Sequence, residues 1–233
     1  MAGLIDIHPI IIEDLKKKFA LKTVSLTHPF PERPARALGL VKIEGDVFSS
    51  EKFSRIVCLR ISLPFYFCVR STFMRPRMEY DLPIFSGEVV LTGKKRMVML
   101  DMHRTGEKER PTDTPLFDKL TKIRDKYPTL MENASKNVSN EIQNVFSRAV
   151  CQVKITESLD NDATNILREY LGVFSDMVEK AEPLKGDSLK DKKEKYDAYL
   201  KTVVDHDPGV KGYKMLFGEE GGVKRSMEMF FDA

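Results

Sequence analysis

Tryptophan is absent from these 233 residues, and cysteine occurs only at Cys58, Cys68 and Cys151. Three thiols cannot all pair within one chain, and no two stand at metal-ligand spacing, so neither a disulfide framework nor a zinc ribbon is expected. The four histidines, His8, His28, His103 and His206, make no HExxH or other paired spacing, so no metal site is expected. GxGxxG, GxxxxGK[ST] and GxSxG are missing too, which leaves a dinucleotide fold, a P-loop and a hydrolase elbow without support. The nearest glycine cluster, GEEGG from Gly218 to Gly222, comes late and follows no strand. No apolar run approaches the roughly 20 residues of a membrane helix. The first residues lack the basic, apolar and small-residue succession of a secretory signal. A net charge of +3 is too small to point to nucleic acid. The expectation is a reduced, cytoplasmic protein (plastid stromal if eukaryotic), in which the sequons at Asn133 and Asn137 are chance matches.

What is present describes an ordinary globule, with 42% hydrophobic and 31% charged residues, expected to form a single domain over 1–233. Residues 9–21 read as an amphipathic helix. From 36 to 104, five short segments rich in β-branched and aromatic residues alternate with turn signals. Connections that short join antiparallel neighbours. After Pro111 the period becomes helical over 114–127, and FSRAVCQVKI (146–155) reads as a further strand. A stripe of Ile166, Leu167, Tyr170, Leu171, Phe174, Met177 and Val178 marks a long core-facing helix. A charged helix starts at Ser188, and a short one, SMEMFF, follows near the end. Strands followed by helices predict an α+β fold with one central sheet. Two basic clusters, KKR (94–96) and KDKKEK (190–195), are either solvated surface or docking patches for an acidic partner.

Two acids stand out. Alternation along DLPIFSGEVVL places Ile84, Ser86, Glu88 and Val90 on one face of a strand, and a carboxylate among such apolar neighbours costs several kcal/mol or shifts its pKa. Asp207, in DHDPGVKGYKMLFG, follows a helix expected to end at Val203-Val204; the Asp-Pro step forces extended backbone, and Gly209 and Gly212 suggest a loop aimed over the sheet. The plain alternatives are a salt bridge from Glu88 to an arginine such as Arg70, and a capping role for Asp207.

Taken together, DLPIFSGEVVL followed by KKRMVMLDMHR, then Phe146-Ser147 with Lys154, then DPGVKGYKMLFGE, resemble the ferredoxin-dependent bilin reductases from about residue 36 onward. The resemblance implies an α/β/α sandwich with a central antiparallel sheet. It implies reduction of biliverdin IXα by electrons passed singly from reduced ferredoxin, through a substrate radical, with no cofactor bound by the protein and no metal. The protein would act as a monomer, with no nucleic acid or membrane as partner. Glu88 and Asp207 occupy the positions of the family's two proton-donating carboxylates. Ser71, Phe85, Ser147 and Lys154 fall at positions expected to line or hold the pigment, Lys154 and Ser147 by its propionates. This chain departs from phycocyanobilin-type members, having Ser71 and Leu59 where they carry a His and a Glu used in D-ring vinyl reduction. A Glu at position 88 instead of Asp is similar to red chlorophyll catabolite reductase, which acts on a larger linear tetrapyrrole. A non-catalytic bilin-binding protein on the same fold is the alternative from another class.

Overall fold

The computed structural model describes residues 6–64, 67–103, 105, 113–135 and 140–232. Helix α1 (Ile7–Lys16) starts at Asp6, whose carboxylate accepts the His8 amide at 3.3 Å, and a two-residue strand β1 (Lys22–Thr23) follows. The apolar segments of the middle then form β2 (Lys42–Ser49), β3 (Phe53–Leu63), β4 (Phe67–Pro76), β5 (Ile84–Thr92) and β6 (Lys95–His103). This is the expected meander. Helix α2 (Thr114–Arg124) and two short helices, α3 (Pro128–Met131) and α4 (Asn140–Gln143), lead to β7 (Cys151–Ile155). Pro128 opens α3 rather than closing the helix before it, as suits a residue whose missing N–H would be unpaired in a first turn anyway. The seven strands pair in chain order, every pair antiparallel.

The rest of the described chain is helical: α5 (Asp160–Lys180), α6 (Asp187–His206), α7 (Pro208–Phe217), α8 (Glu219–Ser226) and a π turn over Met227–Phe231. Two expectations are corrected here. Helix α6 runs to His206, and the stretch read as a loop is α7. Pro208 occupies its first turn, and Asp207 is its N-cap, accepting the Val210 amide at 3.0 Å. The cap of α6 is Gly186 at positive φ, not Ser188.

Side-chain alternation gives the sheet two apolar faces. The first buries Ile56, Met74, Phe85, Val89, Leu100 and Val153 against α1, α2 and α5. The second buries Val57, Leu59, Phe73 and Ile84 against α6, α7 and the C-terminal turn, through Tyr199, Val203, Tyr213 and Phe231. The result is the helix–sheet–helix sandwich that the resemblance implied. No described helix is long and apolar enough to cross a membrane.

Candidate active site

The second face of the sheet carries an unusual set of polar groups. Across the strands, Leu59, Ser71, Glu88, Met99 and Gln152 are successive register partners and form one row. Two residues along β5, Ser86 pairs with Asp101; two further, Ile84 pairs with His103. Period two therefore sets Glu88, Asp101 and His103 on one surface, with Gln152 two strands from Glu88, about 10 Å at normal strand spacing.

Helix α6 roofs this strip. The Tyr199 hydroxyl lies 2.9 Å from His103 Nδ1. His103 sits against Ile84, four residues or about 13 Å along the strand from Glu88. Asp207 is eight residues beyond Tyr199, about 12 Å along the helix axis. The two lengths match, so the helix that lays Tyr199 over His103 lays Asp207 toward Glu88. Helix α7 then adds Tyr213, whose ring stacks on Phe230 and lies 4.6 Å from Phe30 between centroids.

Electrostatics agree with this placement. Burial, and after it the Asp207 carboxylate, together push the Glu88 carboxyl up to about 7. Neither a cation nor a hydrogen bond acts against that shift. Burial also raises Asp207, opposed by the Val210 and Gly209 amides and by Lys211. Tyr213 is raised by burial and by both carboxylates, and Tyr199 by burial, Tyr196, Asp207 and Asp101. Burial holds His103 down at about 4, so its imidazole is neutral near pH 7. Its Nδ1 is engaged by Tyr199, while Nε2 is buried without a hydrogen-bond partner among the described residues. Glu88 and Asp207 keep partial contact with solvent, so a proton lost to a ligand can be replaced.

At the β7 side of the strip is a cavity of about 320 Å³ lined by Arg124, Phe146, Ser147, Arg148 and Gln152, among others. Gln152 Nε2 is buried there with no hydrogen-bond partner among the described residues. The cavity meets the polar strip at Gln152 and does not include Glu88 or Asp207 in its lining; a cavity with apolar walls and a few polar groups is the form of a small-molecule site. The Glu88 carboxyl titrates near neutrality, beside a second carboxyl, Asp207, that burial also raises.

The family model for ferredoxin-dependent bilin reductase matches residues 8–232. The chain belongs to that family. It is 25% identical, over 175 residues, to the phycoerythrobilin:ferredoxin oxidoreductase of Prochlorococcus marinus (strain MIT 9301), covering 72% of this chain and 68% of that one. The crystal structure of tomato phytochromobilin synthase in complex with biliverdin superposes with a TM-score of 0.82, at 18% identity, over 96% of this chain and 81% of the other. At that identity the likeness is one of fold.

Within this bilin reductase the six residues singled out from sequence divide clearly. Glu88 and Asp207 lie close enough to interact electrostatically. Ser71 is the direct cross-strand neighbour of Glu88. Lys154 is exposed on the edge strand, one row beyond, through the Val90–Met97–Lys154 register. Ser147 lies near the site, but its hydroxyl and amide are both given to Asp101, at 2.5 and 2.8 Å, so its hydroxyl proton is already committed. Phe85 is on the wrong side. It belongs to the first core, fully buried, with its ring 5.3 Å from that of Phe174. Alternation from Glu88 already required this, since residues three apart on a strand face opposite ways.

The salt-bridge alternative for Glu88 also fails, because Arg70 pairs in register with Val89 and reaches Cys68 and the Val69 carbonyl instead. The capping alternative for Asp207 holds, and it coexists with the coupling to Glu88. Sequence reasoning missed Asp101, His103, Gln152, Tyr199 and Tyr213. A usable signal existed for the first two: in KKRMVMLDMHR the alternate positions Met97, Met99, Asp101 and His103 share one face.

In the two basic clusters Lys94, Lys95, Lys190 and Lys193 are exposed, and the other cations are engaged within the chain. Arg96 is fully buried, with Nε 2.9 Å from Asp160. In KDKKEK, Lys192 is buried and donates to the Tyr80 carbonyl, and Lys195 pairs with Asp191.

Proposed function

We propose that this reductase adds electrons, received singly from ferredoxin, and protons to a linear tetrapyrrole of the biliverdin IXα type lying on the second face of the sheet. The observation that carries the reading is the Glu88 carboxyl, held up to about 7 by burial beside a second raised carboxyl. Such a group is about half protonated at pH 7 and gives its proton readily to a more basic acceptor. An electron placed on a conjugated bilin makes a radical anion, which is that acceptor. Two electrons and two protons together convert one double bond of the pigment to a single bond. Ferredoxin is oxidised, one molecule per electron; Glu88 and Asp207 lose the protons and regain them from water.

The protein's remaining groups fix where this happens. Neutral His103 can donate or accept through Nε2, according to its tautomer, and Gln152 can donate through its amide; both suit the pyrrole and lactam edges of the pigment. Lys154 at the rim can hold a propionate by a charge-assisted contact. No cofactor resident in the protein is needed, because the pigment holds the unpaired electron.

The test is anaerobic absorbance spectroscopy with biliverdin, reduced ferredoxin and ferredoxin reductase, followed by chromatography of the product. Bleaching of the bound-pigment band and a new bilin in the stated stoichiometry are expected. A bound-pigment spectrum that never changes would show a carrier and not an enzyme. The longer acid at Glu88 supports a second reading, a larger chlorophyll-derived linear tetrapyrrole as substrate. Faster turnover of that pigment than of biliverdin would establish it.

A further inference from the structure

Among the described residues three large apolar side chains stand in water: Leu38 at 86% exposure, Leu40 at 60% and Met215 at 77%. They are distant in sequence but belong to neighbouring elements. The 3₁₀ turn Ala35–Ala37 lies against α7, and the Arg36 guanidinium sits 3.1 Å from where a side chain at Gly218 would begin. On α7, Lys211, Lys214 and Met215 follow the i, i+3, i+4 spacing of one stripe, and Gly218 caps the end of the helix. Arg36 reaches Gly218 at the end of α7, and Leu38 and Leu40 follow Arg36 closely in the chain. Lys211 and Arg36 add positive charge, while Lys214 is engaged by Glu219 at 2.8 Å and Arg33 by the Gly39 carbonyl at 2.8 Å.

The turn has a second peculiarity. Leu38 adopts left-handed backbone, φ +50°, immediately before Gly39 at φ +71°. A leucine in that conformation is strained, and glycine or asparagine would fit better. Strain of this kind persists at positions whose side chain is used. Here the side chain touches water.

The opposite stripe of α7 explains the location. Val210 and Tyr213 point inward, and the Tyr213 phenol interacts electrostatically with both Glu88 and Asp207. Only the thickness of one helix, about 10 Å, separates the exposed stripe from the bilin site. The lysines of KDKKEK lie about 20 Å up α6 from Asp207, toward the His103 end of the strip.

We infer that the outer face of α7, with Leu38, Leu40, Met215, Arg36 and Lys211, is the surface on which the acidic one-electron carrier, ferredoxin, docks. This rests on the bilin-reductase reading of the site beneath it. A small apolar centre rimmed by cations suits a transient redox encounter, in which charge steers approach and little area is buried. One electron passes per encounter, leaving oxidised ferredoxin and a bilin reduced by one electron.

Full-length protein with Leu38→Asn, Met215→Glu and Lys211→Glu tests it, with Lys193→Glu as the control patch. Leu38→Asn relieves the turn and removes the apolar side chain, so its thermal midpoint should be unchanged or raised. Each of the three should raise the KM for ferredoxin by about tenfold. Biliverdin affinity, and single-turnover bleaching by a low-potential chemical reductant, should stay at wild-type values. Lys193→Glu should change none of these. Unchanged ferredoxin dependence in the three variants, or a rise confined to Lys193→Glu, overturns the docking surface. So does a wild-type dimer, seen by light scattering, that Met215→Glu dissolves, since the face would then be covered by a second copy. Wild-type protein that fails to bind or bleach biliverdin instead defeats the reading of the site, whatever the variants do.

Discussion

At the scale of the residue, Glu88 is an acid whose fold opposes its ionisation. Its pKa rises from 4.5 to about 7 on folding. The carboxyl is neutral in both states below about 4.5. As pH rises toward 7 the unfolded chain ionises it while the folded chain does not, and stability falls; above 7 the full penalty is present. Glu88→Gln is therefore expected to leave stability at pH 4 unchanged and to raise it at pH 8 by on the order of 2 kcal/mol. Thermal unfolding at the two pH values checks this. The same variant should bind biliverdin and stall after the first electron, leaving a radical signal in electron paramagnetic resonance. Normal turnover would make Glu88 structural. Asp207 has two functions that substitutions can separate. Asparagine caps a helix as well as aspartate does, so Asp207→Asn should cost only a few tenths of a kcal/mol, against about 1 kcal/mol for Asp207→Ala. Both should lose proton donation, and both should lower the pKa of Glu88, seen as an acid shift in the pH profile of bilin protonation, because a neighbouring negative charge is gone.

At the scale of the element, α7 and α8 meet closely enough that no side chain fits between them. A Cβ at Gly222 would lie 2.5 Å from the Lys214 amide nitrogen and 2.6 Å from the Tyr213 carbonyl carbon. These are backbone atoms that cannot swing away. Gly222→Ala is expected to cost about 1–3 kcal/mol. It should also weaken bilin binding, because the helix displaced is the one that carries Tyr213 and begins at Asp207. Calorimetry with a pigment titration reads both effects. The history of α7 shows what a sequence discloses. The five-strand meander was legible because alternation and short turns are local signals. The long stripe of α5 was legible for the same reason. Helix α7 was not, because Gly209 and Gly212 and the Asp-Pro step look like a loop when propensity alone is weighed. In the protein, Pro208 sits in the one turn where proline suits a helix, and burial of Val210 and Tyr213 outweighs two glycines. Glu88 and Asp207 could be named from their chemistry and order. Tyr199 and Gln152 could not, since only register and the run of α6 bring them to the same strip. The commitment of Ser147 to Asp101 was hidden likewise.

At the scale of the whole molecule, the sheet divides two tasks between its faces. The face toward α1, α2 and α5 is largely apolar and close-packed, with Phe174 in ring contact with both Phe53 and Phe85. The other face gives up that uniformity for Glu88, Asp101, His103 and Gln152. Only the backbone of the strands is shared, and one residue step moves a side chain from stability to chemistry. Phe174→Ala tests the division. It empties the space of a buried ring, at an expected cost of about 3–5 kcal/mol. At a temperature where the variant remains folded, its biliverdin affinity and turnover should match the wild type, since nothing on the second face has moved. Tyr199→Phe should behave in the opposite way. It removes one hydroxyl, frees His103 Nδ1 and leaves the aromatic packing in place. A small stability change, about 1 kcal/mol, is expected, with weaker bilin binding and a shifted pigment spectrum because the imidazole is no longer held in one orientation. If Phe174→Ala instead perturbs the pigment spectrum as strongly as Tyr199→Phe does, the two faces are mechanically coupled through the sheet, and the division of tasks is wrong.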